Sequence, residues 1–112
     1  MIHAVKIVPR YFDAVISGEK TFEVRKNDRP FQVGDLLALN EYDVENKCYT
    51  RNSCLVYIDY ILDSADYCKN GYVVLSIKPC VVRKVTAPQG PCVDAADYRV
   101  PFATIGDEIE GG

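Results

Sequence analysis

Lys20, Glu23 and Arg25 are the residues whose types and spacing could do chemistry in this chain. They fall in the run Gly18-Glu19-Lys20-Thr21-Phe22-Glu23-Val24-Arg25, which continues through Lys26, Asn27, Asp28 and Arg29 to Pro30. A close set of Lys, Glu and Arg can bind an anion with its cations while the carboxylate orients them. The competing reading is a solvated hairpin face with ordinary surface ion pairs, which are common and worth little energetically.

The flanking elements must position these groups. Pro9 to Ser17 reads as a short helix, with Tyr11, Phe12, Val15 and Ile16 at helical spacing and Pro9 suited to the first turn. Tyr11 belongs to its apolar face and is expected in the core. Gly18 suits the left-handed residue that ends such a helix. The period then changes to two. Phe22 and Val24 point one way and Thr21, Glu23 and Arg25 the other, as on a strand with one buried face running from about Thr21 to Asn27. A helix stops, a strand begins, and three long charged side chains leave the junction within six residues.

The pattern Gly-x-Lys-x-x-Glu-x-Arg directly after a short helix resembles the signature of the ASCH (activating signal cointegrator homology) domains, within the PUA-like superfamily. The wider run includes His3 and Lys6 before the helix, Lys20 to Arg29 after it, and Phe31-Gln32-Val33-Gly34-Asp35 beyond. It looks like a bacterial and phage branch of that group, and the resemblance covers residues 2 to about 78. Placing the signature between helix and strand shifts the balance from a surface hairpin to a functional cluster.

The resemblance implies a mixed barrel with helices at its ends and a cleft beside the first helix that accepts RNA, a nucleotide or a modified base. Carried over by position, the signature falls on Gly18, Lys20, Glu23 and Arg25. Lys20 and Arg25 would contact phosphate or a carbonyl oxygen, and Glu23 would accept from a base amino group or hold Arg25. Asn27, Asp28 and Arg29 would extend the rim, with His3 and Lys6 completing the floor. A second implication is enzymatic, since some small relatives are amidohydrolases acting on acylated cytidine and others have been proposed to cut RNA. His3, Lys20 and Glu23 are then the acid–base candidates. This sequence departs from the amidohydrolase pattern, because Glu23 stands where those enzymes carry a threonine. Glu41 and Asp59 are the weak substitutes for their later-strand glutamate. A third reading is a protein-interaction module with the acidic tail as ligand or lid.

Size and composition agree with one soluble domain. The 112 residues are 48% hydrophobic and 26% charged, enough to form a core without disulfides or metal. No apolar run approaches a membrane span and the N-terminus lacks signal-peptide features, so a cytoplasmic protein is expected. The five cysteines are irregularly spaced, and His3 is the one histidine. They fit neither a zinc site nor a disulfide framework, and read as reduced, mostly buried thiols. No cofactor is expected. Residues 1–34 hold six Lys or Arg against four acids, and the remainder seven against twelve. A locally basic site on an acidic body suits a small anionic ligand better than a long phosphate track.

Along the chain, Ile2 to Val8 carries apolar residues on both faces and reads as a central strand. Leu36 to Tyr42, Cys54 to Leu62 and Tyr72 to Ile77 are further strands, and Asp43 to Arg51 reads as an exposed hairpin loop. Pro79 interrupts the pattern, after which Val81, Val82 and Val85 suggest a sixth, edge strand. Among the tyrosines, Tyr42, Tyr57 and Tyr60 are stacking candidates, although alternating strand tyrosines are commonly half-buried core. The fold class expected is α+β, mainly β: a small mixed PUA-like barrel of five to six strands with one early helix over residues 1–86. Residues 87–112 read as an extended or partly disordered tail.

Overall fold

Strand β1 (Ile2–Ile7) runs into helix α1 (Pro9–Ile16), which is followed by β2 (Phe22–Lys26), β3 (Leu36–Asp43), β4 (Cys48–Leu62), β5 (Tyr72–Arg83) and a two-residue β6 (Val93–Asp94). The structure is a computed structural model and describes residues 1–83 and 93–94. Five strands form one sheet in the order β1-β3-β4-β5-β2, with β6 alongside β4 at Cys48 and Tyr49. β1 and β3 are parallel, and the other pairs are antiparallel. The tail expected over 87–112 lies outside the described residues apart from Val93 and Asp94. Among the described residues, no helix is long and apolar enough to cross a membrane.

The sheet curls into a half-barrel around an apolar interior. Val5 and Ile7 of β1, Leu37 and Leu39 of β3, and Cys54, Val56 and Ile58 of β4 form the core with Val73, Leu75 and Ile77 of β5. Phe12 and Val15 of α1 close over them. Each fully buried Leu, Ile or Phe contributes roughly 1.5–3 kcal/mol relative to exposure. β1 is buried on both faces, as its sequence suggests, yet it ends the strand path instead of lying centrally. Its non-core face carries Ala4, packed as tightly as Val5.

Two expectations about β-structure and one about the cysteines are corrected. The loop expected over Asp43 to Arg51 shrinks to Val44–Lys47, because Asp43 Oδ1 accepts the N–H groups of Glu45 and Asn46 and Lys47 takes a left-handed φ of 55°. β4 therefore starts at Cys48, and both Cys48 and Tyr49 are buried. Pro79 does not end β5, because the ladder with β4 shifts register between Leu55 and Val56, the residue opposite Pro79, and continues to Arg83. An irregularity there accommodates the missing N–H. Cys48 is disulfide-bonded, against the expectation of reduced thiols, whereas Cys54, Cys68 and Cys80 are free.

Candidate functional site at the helix–strand junction

Helix α1 begins with Pro9 at its first turn, where a missing N–H costs nothing. It ends at Ser17, whose N–H reaches Asp13 O, and the chain reverses at Gly18 with φ 86°. A side chain at that φ would be strained. The N–H of Lys20 then bonds back to Ala14 O at 2.9 Å, which ties the lysine to the end of the helix. β2 follows immediately, and its register sets the site. Glu23 lies opposite Leu75 and Arg25 opposite Val73, both core residues. Cross-strand partners share a face, so the carboxylate and the guanidinium point into the half-barrel. Phe22 and Val24 point outward and are about half exposed.

The buried face of β2 is thus the charged one. The hydrophobic pattern reads the other way, since apolar side chains normally face the core. Three sets of contacts compensate the burial. Lys20 Nζ donates to Glu23 Oε1 and, at 2.6 Å, to Phe22 O. Arg25 donates to Glu23 Oε2 through Nε at 3.0 Å and Nη2 at 2.8 Å. Arg25 Nη2 also donates to Lys6 O at 2.8 Å, which links β2 to β1 across the open side of the half-barrel. Arg25 Nη1 is buried without a hydrogen-bond partner. Burial together with the Glu23 charge pushes the Cys54 thiol up to about 12, so the carboxylate is felt in the apolar interior.

The ion-pair set is therefore not a solvated hairpin face: Glu23 is 3% and Arg25 2% exposed. Above it opens a cleft of about 230 Å³ lined by Tyr11, Lys20, Phe22, Glu23 and Val24. The ammonium of Lys20 lies 4.9 Å from the centroid of the Phe22 ring and 5.4 Å from that of Tyr11. Tyr11 was expected in the core. It is instead 37% exposed, with Arg10 bonded to its hydroxyl and stacked on its ring. Helical spacing does not show this, because Tyr11 sits where the apolar stripe of α1 overhangs the cleft.

The other sequence candidates lie elsewhere. His3 is 1% exposed, and its Nε2 is 2.9 Å from Asp35 Oδ2 with its ring edge-on to Phe31. Lys6 contributes its carbonyl to Arg25, while its ammonium lies 4.3 Å over the Tyr42 ring. Asn27 bonds Gly71 O through its N–H, and Asp28 and Arg29 pair at 4.0 Å. None of these five lines the cleft. Tyr42 packs edge-on against Tyr49, and Tyr57 and Tyr60 are likewise absent from the cleft wall. Glu41 is buried and accepts from Thr50 Oγ1 and Asn52 Nδ2, and Asp59 pairs with Lys78. Thr21 is exposed, and its carbonyl accepts the N–H of Ile77. The cleft lining thus holds a phenol but no serine, threonine or cysteine.

Comparison with known proteins places the chain in a family. Over 74 residues the chain is 36% identical to the "Uncharacterized 12.9 kDa protein in GpA 3'region" of Escherichia phage P2, covering 66% of this chain and 65% of that protein. The chain thus spans slightly less than two thirds of that relative's length. The matching family model covers residues 2–77, from β1 through the helix–strand junction to the inner half of β5, and the chain belongs to the family described as "Domain of unknown function (DUF3850)".

Proposed function

We propose that this domain binds RNA or a modified nucleotide in the cleft between α1 and β2, as an ASCH-related member of the PUA-like superfamily. The observation that carries the reading is the pairing of Lys20 and Glu23 at the base of a cleft whose walls include two exposed aromatic rings, Tyr11 and Phe22. Stacking of a base on an aromatic side chain is worth about 1–3 kcal/mol and tolerates any base. Lys20 adds a charged donor beside those rings. The curled sheet, with a helix between β1 and β2, supports the superfamily assignment. Arg25, assigned a ligand contact by resemblance, is committed here to Glu23 and Lys6 O and acts by positioning.

Fluorescence anisotropy with a labelled single-stranded RNA tests the reading. Lys20→Ala is expected to weaken binding, because it removes the charged donor beside the rings. Equal affinity of wild type and Lys20→Ala, or no complex at low salt, would remove it.

A further inference from the structure

We infer that the cleft reads the uncharged donor–acceptor edge of a single nucleobase and leaves the phosphate outside. This rests on the nucleotide-binding reading above and specifies which part of the nucleotide the site takes.

Hydrogen-bonding valences carry the argument. An ammonium has three N–H groups and a carboxylate about four lone-pair positions. Lys20 uses one N–H on Phe22 O and one on Glu23 Oε1. Glu23 receives Lys20 on Oε1 and Arg25 twice on Oε2. One donor on Lys20 and one acceptor position on Glu23 Oε1 remain. They sit on directly bonded partners, and both residues line the cleft. Arg25 does not line it, so it offers no N–H to a ligand there.

This pairing selects the ligand's charge. The Lys20 cation and the Glu23 anion are the charged groups that line the cleft, and they are in contact, with Arg25 bonded to Glu23 behind them. A phosphate satisfies the free N–H but sets its own oxygens against the Glu23 carboxylate, and like charges at close range are costly. A planar edge with an N–H next to an acceptor satisfies both groups. Uracil offers N3–H beside O4, guanine N1–H beside O6, and cytosine and adenine an amino group beside a ring nitrogen. The volume agrees. A cleft of about 230 Å³ is below the roughly 300–1,000 Å³ of pockets that enclose a whole small molecule. It suits one ring system laid against Tyr11 and Phe22, with sugar and phosphate in solvent.

The test compares, on the full chain, the four ribonucleosides, their 5′-monophosphates, inorganic phosphate, and analogues methylated on the edge donor. Those analogues are 3-methyluridine, 1-methylguanosine, N4,N4-dimethylcytidine and N6,N6-dimethyladenosine, and binding is read by NMR titration. The tightest nucleoside and its monophosphate are expected to agree within about threefold, with little change between about 50 and 200 mM salt. Its methylated analogue is expected to bind about tenfold more weakly, and inorganic phosphate not to compete. Phe22 is half exposed, so Phe22→Ala should keep the wild-type circular dichroism and lose about tenfold in nucleoside affinity. Unchanged affinity in that variant, or equal binding of the methylated analogue, overturns the edge reading. So does a monophosphate bound more than about tenfold tighter with steep salt dependence, although nucleotide binding itself then stands. Absence of binding by every nucleoside, monophosphate and single-stranded RNA removes both.

Discussion

At one end of β1, Asp35 gathers the N-terminal ammonium at 3.2 Å, His3 Nε2 at 2.9 Å and the Gln32 N–H at 3.0 Å. Across the open side of the half-barrel from Lys6, Glu23 gathers Lys20 and Arg25. Both carboxylates are buried, Asp35 with partners 34 and 32 residues away and Glu23 with partners 3 and 2 residues away, and they serve different ends. The Asp35 groups come from the strand and turn they join, and the result fixes the tight turn at Gly34, with φ 94°, against the start of β1. The Glu23 cluster leaves a donor and an acceptor beside a cleft. Buried charge alone therefore does not mark a site. Valence left over at a concave surface is the better sign.

The largest expected effect separates the clusters by cost. Glu23→Leu leaves the Arg25 guanidinium buried without its counter-charge, a loss of about 3–5 kcal/mol. The double variant Glu23→Leu with Arg25→Met should recover most of that, because replacing a whole buried pair with apolar groups is near neutral. Urea titration of the two single variants and the double variant checks this, and additive losses would mean that the pair is not coupled. Asp35→Asn should cost less, about 1–3 kcal/mol.

Asp35 also gives the comparison a pH signature. Burial works to raise its carboxyl, but His3, the N-terminal ammonium and the Gln32 N–H outweigh it and hold the group below its ordinary 3.8. A depressed folded value means that this stabilisation is fully present above 3.8 and fades as pH falls through the lower folded value. Urea midpoints measured downward from about pH 5 should fall less steeply for Asp35→Asn than for wild type. Parallel curves would detach Asp35 from acid unfolding.

The smallest effect is expected outside both clusters. Lys78 lies 3.5 Å from Asp59 but is 60% exposed, and Lys78→Ala should change stability by less than about 0.5 kcal/mol. A larger loss would show that surface pairs on this sheet count for more than their exposure allows.

Much of the frame was legible in the sequence. Pro9, the Phe12 and Val15 spacing and Gly18 locate the helix and the reversal after it, and both follow from local chemistry. The apolar runs of β3, β4 and β5 locate the sheet interior. What misled was the rule that apolar residues face inward. In β2 it exchanges inside and outside, because Lys20, Glu23 and Arg25 pair with one another and Arg25 also reaches Lys6 O on β1. The same rule puts Tyr11 in the core, where the structure has it 37% exposed. The spacing of Lys20, Glu23 and Arg25 did indicate their convergence. That His3 belongs with Asp35, 32 residues away, has no local signal at all.

The bond from Arg25 to Lys6 O has a mechanical consequence. β1 and β2 are the two ends of the strand path, and the Arg25 guanidinium reaches across to Lys6 O between them. Releasing one such bond costs on the order of 1–3 kcal/mol, far less than unpairing a strand. The two edges of the half-barrel are thus held to each other by a contact that no ladder of the sheet includes.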